Sequence, residues 1–368
     1  MDGVDAQLGQ SAGLDAVRAL LQRFVADGEV QGVALAVGSA GRPVVEAFAG
    51  CGRPGSPAGP QTLWPLASIS KLYTAAAIMA LVEHGALTLT TPVSSVLPRF
   101  TGGGKERVCL WHLLTHTSGI IYEAPEMADL LARQTPLDSI VDEVYERPLL
   151  FTPGTRHSYS DLGIALAGRA AASVAGVSFP ELVHERVLRP AGLTQTGMPP
   201  DVDDVRRVAH VVGSLAYDTP GAMYNSPYAL ALAHPAFGTV ASVGDLLRFG
   251  LHFAPGGPRF LSEATVRAMT TNQLGPWVTA WNPDEIESPQ WGLGFMLRSP
   301  HGSAPYMADL LPAGSFGHAG ASGCALYIDA VDDITIALVA NQHASTGFER
   351  FAHRLGSILN VVLAELTR

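Results

Sequence analysis

Between residues 72 and 82 the chain carries no charge and almost no polar side chain. The spacing predicts a helix there that is apolar on every face, and such a helix belongs inside a protein. Glu83-His84-Gly85 closes it, because glycine readily takes the left-handed conformation that ends helices. Upstream the pattern changes. Leu14, Val17, Leu20, Leu21, Phe24 and Val25 fall on one face of an amphipathic helix. Residues 32–37 and 43–50, parted by Gly38-Ser39-Ala40-Gly41, predict a β-hairpin. A Gly/Pro-rich loop over 52–60 then leads to Trp64-Pro65 and the apolar helix.

From about residue 72 to 198 the periodicity is mostly helical. Residues 108–119 predict a short helix ending at Gly119, and 163–174 an Ala-rich helix. Residues 201–235 are irregular and hold Tyr217, Tyr224 and Tyr228. Helices are expected over 242–253 and 262–269, then a long loop over 272–289 with Trp277 and Trp281, then a strand-like run from Trp291 to Leu297. Strand patterns return at 316–320, 324–328 and 334–340, the last two flanking the turn signal Asp332-Asp333. Residues 348–366 predict a terminal amphipathic helix. Strands at both ends with helices between them predict an α/β (α+β) fold. Its sheet is built from both termini and flanked by helices. The expected division is 1–71 with 235–368 as the sheet domain and 72–234 as an inserted, mostly helical domain, with the active site in the cleft between them.

The composition, 47% hydrophobic and 15% charged, is that of a globular protein on the apolar side. A net charge of -10 argues against nucleic acid and anionic membrane surfaces as partners. Cys51, Cys109 and Cys324 are an odd number at unrelated spacings, so neither a disulfide framework nor a zinc signature is expected. The start Met1-Asp2-Gly3-Val4-Asp5 lacks a basic and then apolar signal region, and no apolar run reaches membrane-spanning length. A cytoplasmic protein is expected.

Ser68 and Lys71 stand three apart where the apolar helix begins, which puts both on one face, a turn from each other. A serine hydroxyl attacks only when something takes its proton. A lysine amine does so once burial or nearby positive charge lowers its pKa. Of the 23 basic residues only Lys71 and Lys105 are lysines, and arginine cannot serve as a base. S-x-x-K also arises by chance, so the pair alone does not define a site. His112 and His116 have the i, i+4 spacing of a zinc site, but Leu113 stands where a metalloprotease needs glutamate. Both are read as structural, and no metal or cofactor is expected.

Ser68-x-x-Lys71, Tyr159-x-Asp161 and His318-x-Gly320 follow in order along the chain. With residues 113–119, Pro153-Gly154 and Arg189-Pro190-Ala191-Gly192-Leu193, they resemble the serine β-lactamase and penicillin-binding-protein superfamily, in its class C-like and family VIII esterase branch. The resemblance spans nearly the whole chain. It implies a β-lactamase/transpeptidase-like fold with an antiparallel sheet. It also implies acylation of Ser68, proton handling shared by Lys71 and Tyr159, and an oxyanion hole from the backbone N–H groups of Ser68 and Ala321.

Two departures from the family pattern matter. Asp161 stands where the family usually has asparagine, either as an ion-pair partner of Lys71 or as a helix N-cap. As an ion pair it would keep the amine protonated and leave the Tyr159 phenolate as the stronger base. His318 stands where β-lactamases and transpeptidases prefer lysine to hold a substrate carboxylate; it is either a weaker anchor or an ordinary strand-end histidine. Asp161, His318, Gly320, Trp277 and Trp281 are the expected substrate-binding residues, although the tryptophans fit core packing equally well. The expected activity is a carboxylesterase on small or medium esters; the expected partner is a small-molecule ester or amide substrate, with the oligomeric state left open. The alternatives are a β-lactamase, D-Ala-D-Ala peptidase or D-amino-acid amidase, an acyltransferase, or a non-catalytic binding protein of the same fold.

Overall fold

The computed structural model describes residues 14–213, 222–282, 289–299, 304 and 306–368. Its main sheet has seven antiparallel strands in the order Ser56–Pro57, Arg42–Arg53, Gly32–Ser39, Ile334–Ala340, Cys324–Asp329, Phe316–Gly320, Met296–Leu297. The two ends of the chain meet at its centre, where Val33 to Ser39 pair with Ala340 to Ile334. Period-2 alternation explains why both faces are covered. Val33, Leu35, Val37, Ile336 and Leu338 join one core with the helices Asp15–Ala26 and Phe348–Leu366. Ala34, Ala36, Ala337 and Val339 face the other core, with the helix Val243–Leu251. Small side chains on that second face let the helix approach closely. A Cβ on Gly250 would stand 2.7 Å from Leu326 Cδ1 and 2.8 Å from Thr335 Cγ2.

The apolar helix runs from Ser70 to Glu83, and every residue from Ser70 to Leu81 is buried. Tyr73 stacks on Phe249 with ring centroids 4.0 Å apart, a contact worth about 0.5–1.5 kcal/mol beyond its area. Thr74 donates a 2.6 Å hydrogen bond to the Pro235 carbonyl. The helix Asp161–Ala175 packs alongside.

Three expectations need correction. The helix starting at Leu110 ends at Leu114, not Gly119, because His116 (φ +56°) and Gly119 (φ +79°) turn the chain back. The run from Trp291 to Leu297 shrinks to a two-residue strand, Met296–Leu297. Gly294 at φ +88° folds it into a tight turn, and Trp291 bridges back to Met296. The stretch 201–235 contains the short helices Ala222–Asn225 and Pro227–Ala231. No single helix among the described residues is long and apolar enough to cross a membrane.

Candidate active site

Ser68 precedes the α-helix proper. Ala67–Ile69 form a 3-10 turn, and α-helical bonding begins at Ser70. Ala67 is held at φ +47°, in the left-handed region that residues with a side chain seldom adopt. The strand Phe316–Gly320 ends directly on this turn. A Cβ on Gly320 would lie 2.2 Å from the Leu66 carbonyl oxygen and 3.4 Å from Ala67 Cβ, so glycine is required for the approach. Ala321 comes next, packed with Ala67 and Tyr224, its carbonyl accepting from the Ala344 N–H at 2.7 Å. The Ser68 and Ala321 backbones thus border the same small region.

Lys71 is fully buried. Its Nζ donates to Ser68 Oγ at 3.0 Å and to the Ala236 carbonyl at 3.0 Å, and it pairs with Asp161 Oδ1 at 2.8 Å. These account for the three donors of an ammonium group. Burial drives the Lys71 pKa down; the Asp161 carboxylate pulls it back, and the net direction is down. Asp161 is not the N-cap. Ser160 takes that role, its Oγ accepting from the Gly163 N–H at 2.8 Å, which leaves the Asp161 carboxylate to Lys71.

Tyr159 completes the cluster. Lys71 Nζ lies 4.7 Å from the centroid of its ring. Its hydroxyl hydrogen-bonds the Ser68 side chain and lies 3.4 Å from His318 Nε2. Burial, then the Asp161 charge, push the phenol well above its ordinary pKa, and both oppose a phenolate. His318 Nδ1 lies 2.6 Å from the Ala319 carbonyl. A carbonyl only accepts, so Nδ1 carries the proton and Nε2 faces Tyr159 as an acceptor. Burial and the nearby Lys71 push the His318 pKa down to about 3, so this ring is neutral at ordinary pH.

The tryptophans divide differently from expectation. Trp277 is 73% exposed, its ring against Gly275. Trp281 is 45% exposed with its ring 5.4 Å from Phe151. The tryptophan that meets the cluster is the buried Trp291, 5.9 Å from Tyr159 and 5.8 Å from His318. The reason is local. Trp281 follows the two-residue strand Thr279–Ala280, which pairs with Arg156–His157, and its side chain is left exposed, whereas the Gly294 turn carries Trp291 inward. Tyr224 borders Ala321, Tyr228 donates to the Thr135 carbonyl at 2.6 Å, and Tyr217 lies outside the described residues.

The two histidines of the i, i+4 pair face different partners. His112 Nδ1 accepts from the Cys109 N–H at the start of its helix, and His116 Nδ1 accepts from the Ser160 N–H. Among the described residues no cluster of three or more His, Cys, Asp or Glu could hold a metal. Two participants were not legible as such. Ala236 contributes only a backbone carbonyl, for which sequence carries no signal. His116, read as structural, lies with its ring 4.4 Å from that of Tyr159; its place in the Thr115-His116-Thr117-Ser118-Gly119 segment was the available hint.

A seven-stranded antiparallel sheet with a buried S-x-x-K helix at the end of one strand defines a β-lactamase/transpeptidase-like fold. The profile of the Beta-lactamase family matches residues 17–359, and the chain belongs to that family. It is 30% identical to "Penicillin-binding protein 4" of Amycolatopsis lactamdurans over 81% of this chain and 78% of that protein. It is 26% identical to "Esterase EstB" of Burkholderia gladioli over 78% of this chain and 79% of that one. Among solved structures, "EstCE1, a hydrolase with promiscuous acyltransferase activity" superposes with a TM-score of 0.78 at 20% identity, covering 95% of this chain and 98% of that one.

Proposed function

We propose that this chain is a carboxylic ester hydrolase acting through an acyl-enzyme on Ser68. Ser68 Oγ attacks the ester carbonyl carbon while its proton passes to Lys71 Nζ in its neutral form, the form that burial favours over the Asp161-paired ammonium. The tetrahedral oxyanion is held by the Ser68 and Ala321 backbone N–H groups, each such donor being worth about 3 kcal/mol. On collapse the alkoxide leaves with a proton relayed through Tyr159, and water then releases the acid by the same steps. Lys71 is preferred to Tyr159 as base because burial lowers the lysine and raises the tyrosine. A neutral Tyr159 still donates and accepts, which suits the relay.

The observation that carries the ester reading is His318. It is neutral, and its free nitrogen is turned to Tyr159. It therefore offers no fixed positive charge to a substrate carboxylate of the kind β-lactams and peptide C-termini bear, and the Lys71 charge is already matched by Asp161. The similarity to a penicillin-binding protein supports the competing reading. A side-by-side assay with p-nitrophenyl butyrate and a chromogenic cephalosporin, with Ser68→Ala as control, separates the two. Faster ester turnover, abolished in Ser68→Ala, is expected. Faster cephalosporin turnover would replace the ester reading with that of a β-lactamase, and ester turnover that survives Ser68→Ala would remove the acyl-enzyme altogether.

A further inference from the structure

His116 meets the Tyr159 segment at three points. Its carbonyl accepts from the Ser158 N–H at 2.9 Å, and its Nδ1 accepts from the Ser160 N–H at 3.1 Å. Between these two bonds its ring covers that of Tyr159, with centroids 4.4 Å apart and planes 33° apart. Both neighbours of the tyrosine and its ring are therefore gripped by one residue. That grip needs the left-handed backbone at His116, φ +56°, which aims carbonyl and side chain at the same strand of chain. Since Nδ1 accepts, the proton of the neutral ring sits on Nε2, which is buried with no hydrogen-bond partner among the described residues. A histidine placed only for stability is poorly suited by a buried N–H left unsatisfied, which is unfavourable by about 1–3 kcal/mol. Burial and the nearby His157, Lys71 and His318 hold the ring deprotonated, which keeps Nδ1 available as acceptor. Trp291 stands edge-on to both rings, 5.0 Å from His116 and 5.9 Å from Tyr159, and walls the stack from behind.

We infer that His116 is the positioning residue for Tyr159, fixing the phenol hydroxyl against Ser68 and His318 by clamping the peptide on either side of it. This rests on the reading in which Tyr159 relays the proton. Misplacing a reacting group by 1 Å costs about 100-fold in rate, so loss of the clamp is a rate effect rather than a binding effect. His116→Asn keeps a residue that tolerates the left-handed backbone but has no ring to cover Tyr159; His116→Ala removes acceptor and ring together. With p-nitrophenyl butyrate, kcat is expected to fall about 10-fold in the first and about 100-fold in the second, with KM within about threefold of the parent. The rate at which a fluorophosphonate probe labels Ser68 is expected to fall in parallel, whatever the natural substrate. Labelling forms the Oγ–P bond, expels fluoride and sends the serine proton to the base. In a Tyr159→Phe background the same His116→Asn change is expected to alter labelling less than about twofold, because there is no hydroxyl left to position. An equal fall in both backgrounds, a rise in KM with kcat kept, or an unfolded His116→Asn protein would each overturn the positioning role. Unchanged labelling in Tyr159→Phe alone would instead remove the relay, a separate failure.

Discussion

Lys71 sits between two opposed influences: burial, which favours the neutral amine, and Asp161, which favours the ammonium. Asp161→Asn takes away the second. The amine then loses its proton at lower pH, and if neutral Lys71 is the reactive form, the rising limb of kcat/KM moves to lower pH. A profile superimposable on that of the parent would mean that Lys71 is not the titrating base. The chemistry-bearing types at this scale were legible. Ser68 and Lys71 are linked by helical spacing, and Tyr159 and His318 by their place in short motifs. The choice between the two readings of Asp161, ion-pair partner of Lys71 or helix N-cap, was not, because Ser160 and Asp161 both stand where that helix begins and only the backbone geometry at Ser160 chooses between them.

At the scale of elements, the sheet is tied to the Ser68 turn through Gly320. Gly320→Ala would place a methyl group 2.2 Å from the Leu66 carbonyl oxygen, so strand and turn must separate. Overpacking of this kind is typically unfavourable by about 1–3 kcal/mol. The urea midpoint of the variant is expected to fall, and acylation of Ser68 to slow beyond what the lost stability explains, since Ala321 moves with the strand. A variant that acylates at the parent rate would detach Gly320 from the site. Long periodic elements were read well: the terminal helix Phe348–Leu366 and the three strands before it fall where the pattern placed them. The Trp291 segment was misread because one positive-φ glycine, Gly294, outweighs an apolar run that otherwise alternates like a strand.

Across the whole molecule, burial of the neutral histidines His116, His234 and His318 couples folding to pH. His234 is the cleanest case, its ring stacked on Phe237 at 3.8 Å and its pKa pushed down to about 3 by burial and then by Lys71. The unfolded chain takes up a proton at this residue below about pH 6.5, while the folded protein does not until about pH 3. Its contribution is therefore fully present above about pH 6.5 and is lost as pH falls through that window. His234→Gln is expected to gain stability relative to the parent on acidification from about pH 7 to about pH 5, by up to about 1.4 kcal/mol per pH unit. Urea denaturation at both pH values measures it, and a constant difference between the two proteins would exclude the linkage. By itself the sequence determined the long periodic elements, the buried helix and the order of the Ser68-x-x-Lys71, Tyr159-x-Asp161 and His318-x-Gly320 motifs, because periodicity, capping and motif spacing are local properties of the chain. The tertiary structure alone decided that residues as distant as Ser68, Tyr159, Ala236 and His318 share one site. It also decided that the Lys71 charge is answered by Asp161 and that His318 is neutral, because proximity and burial arise only when distant segments pack together.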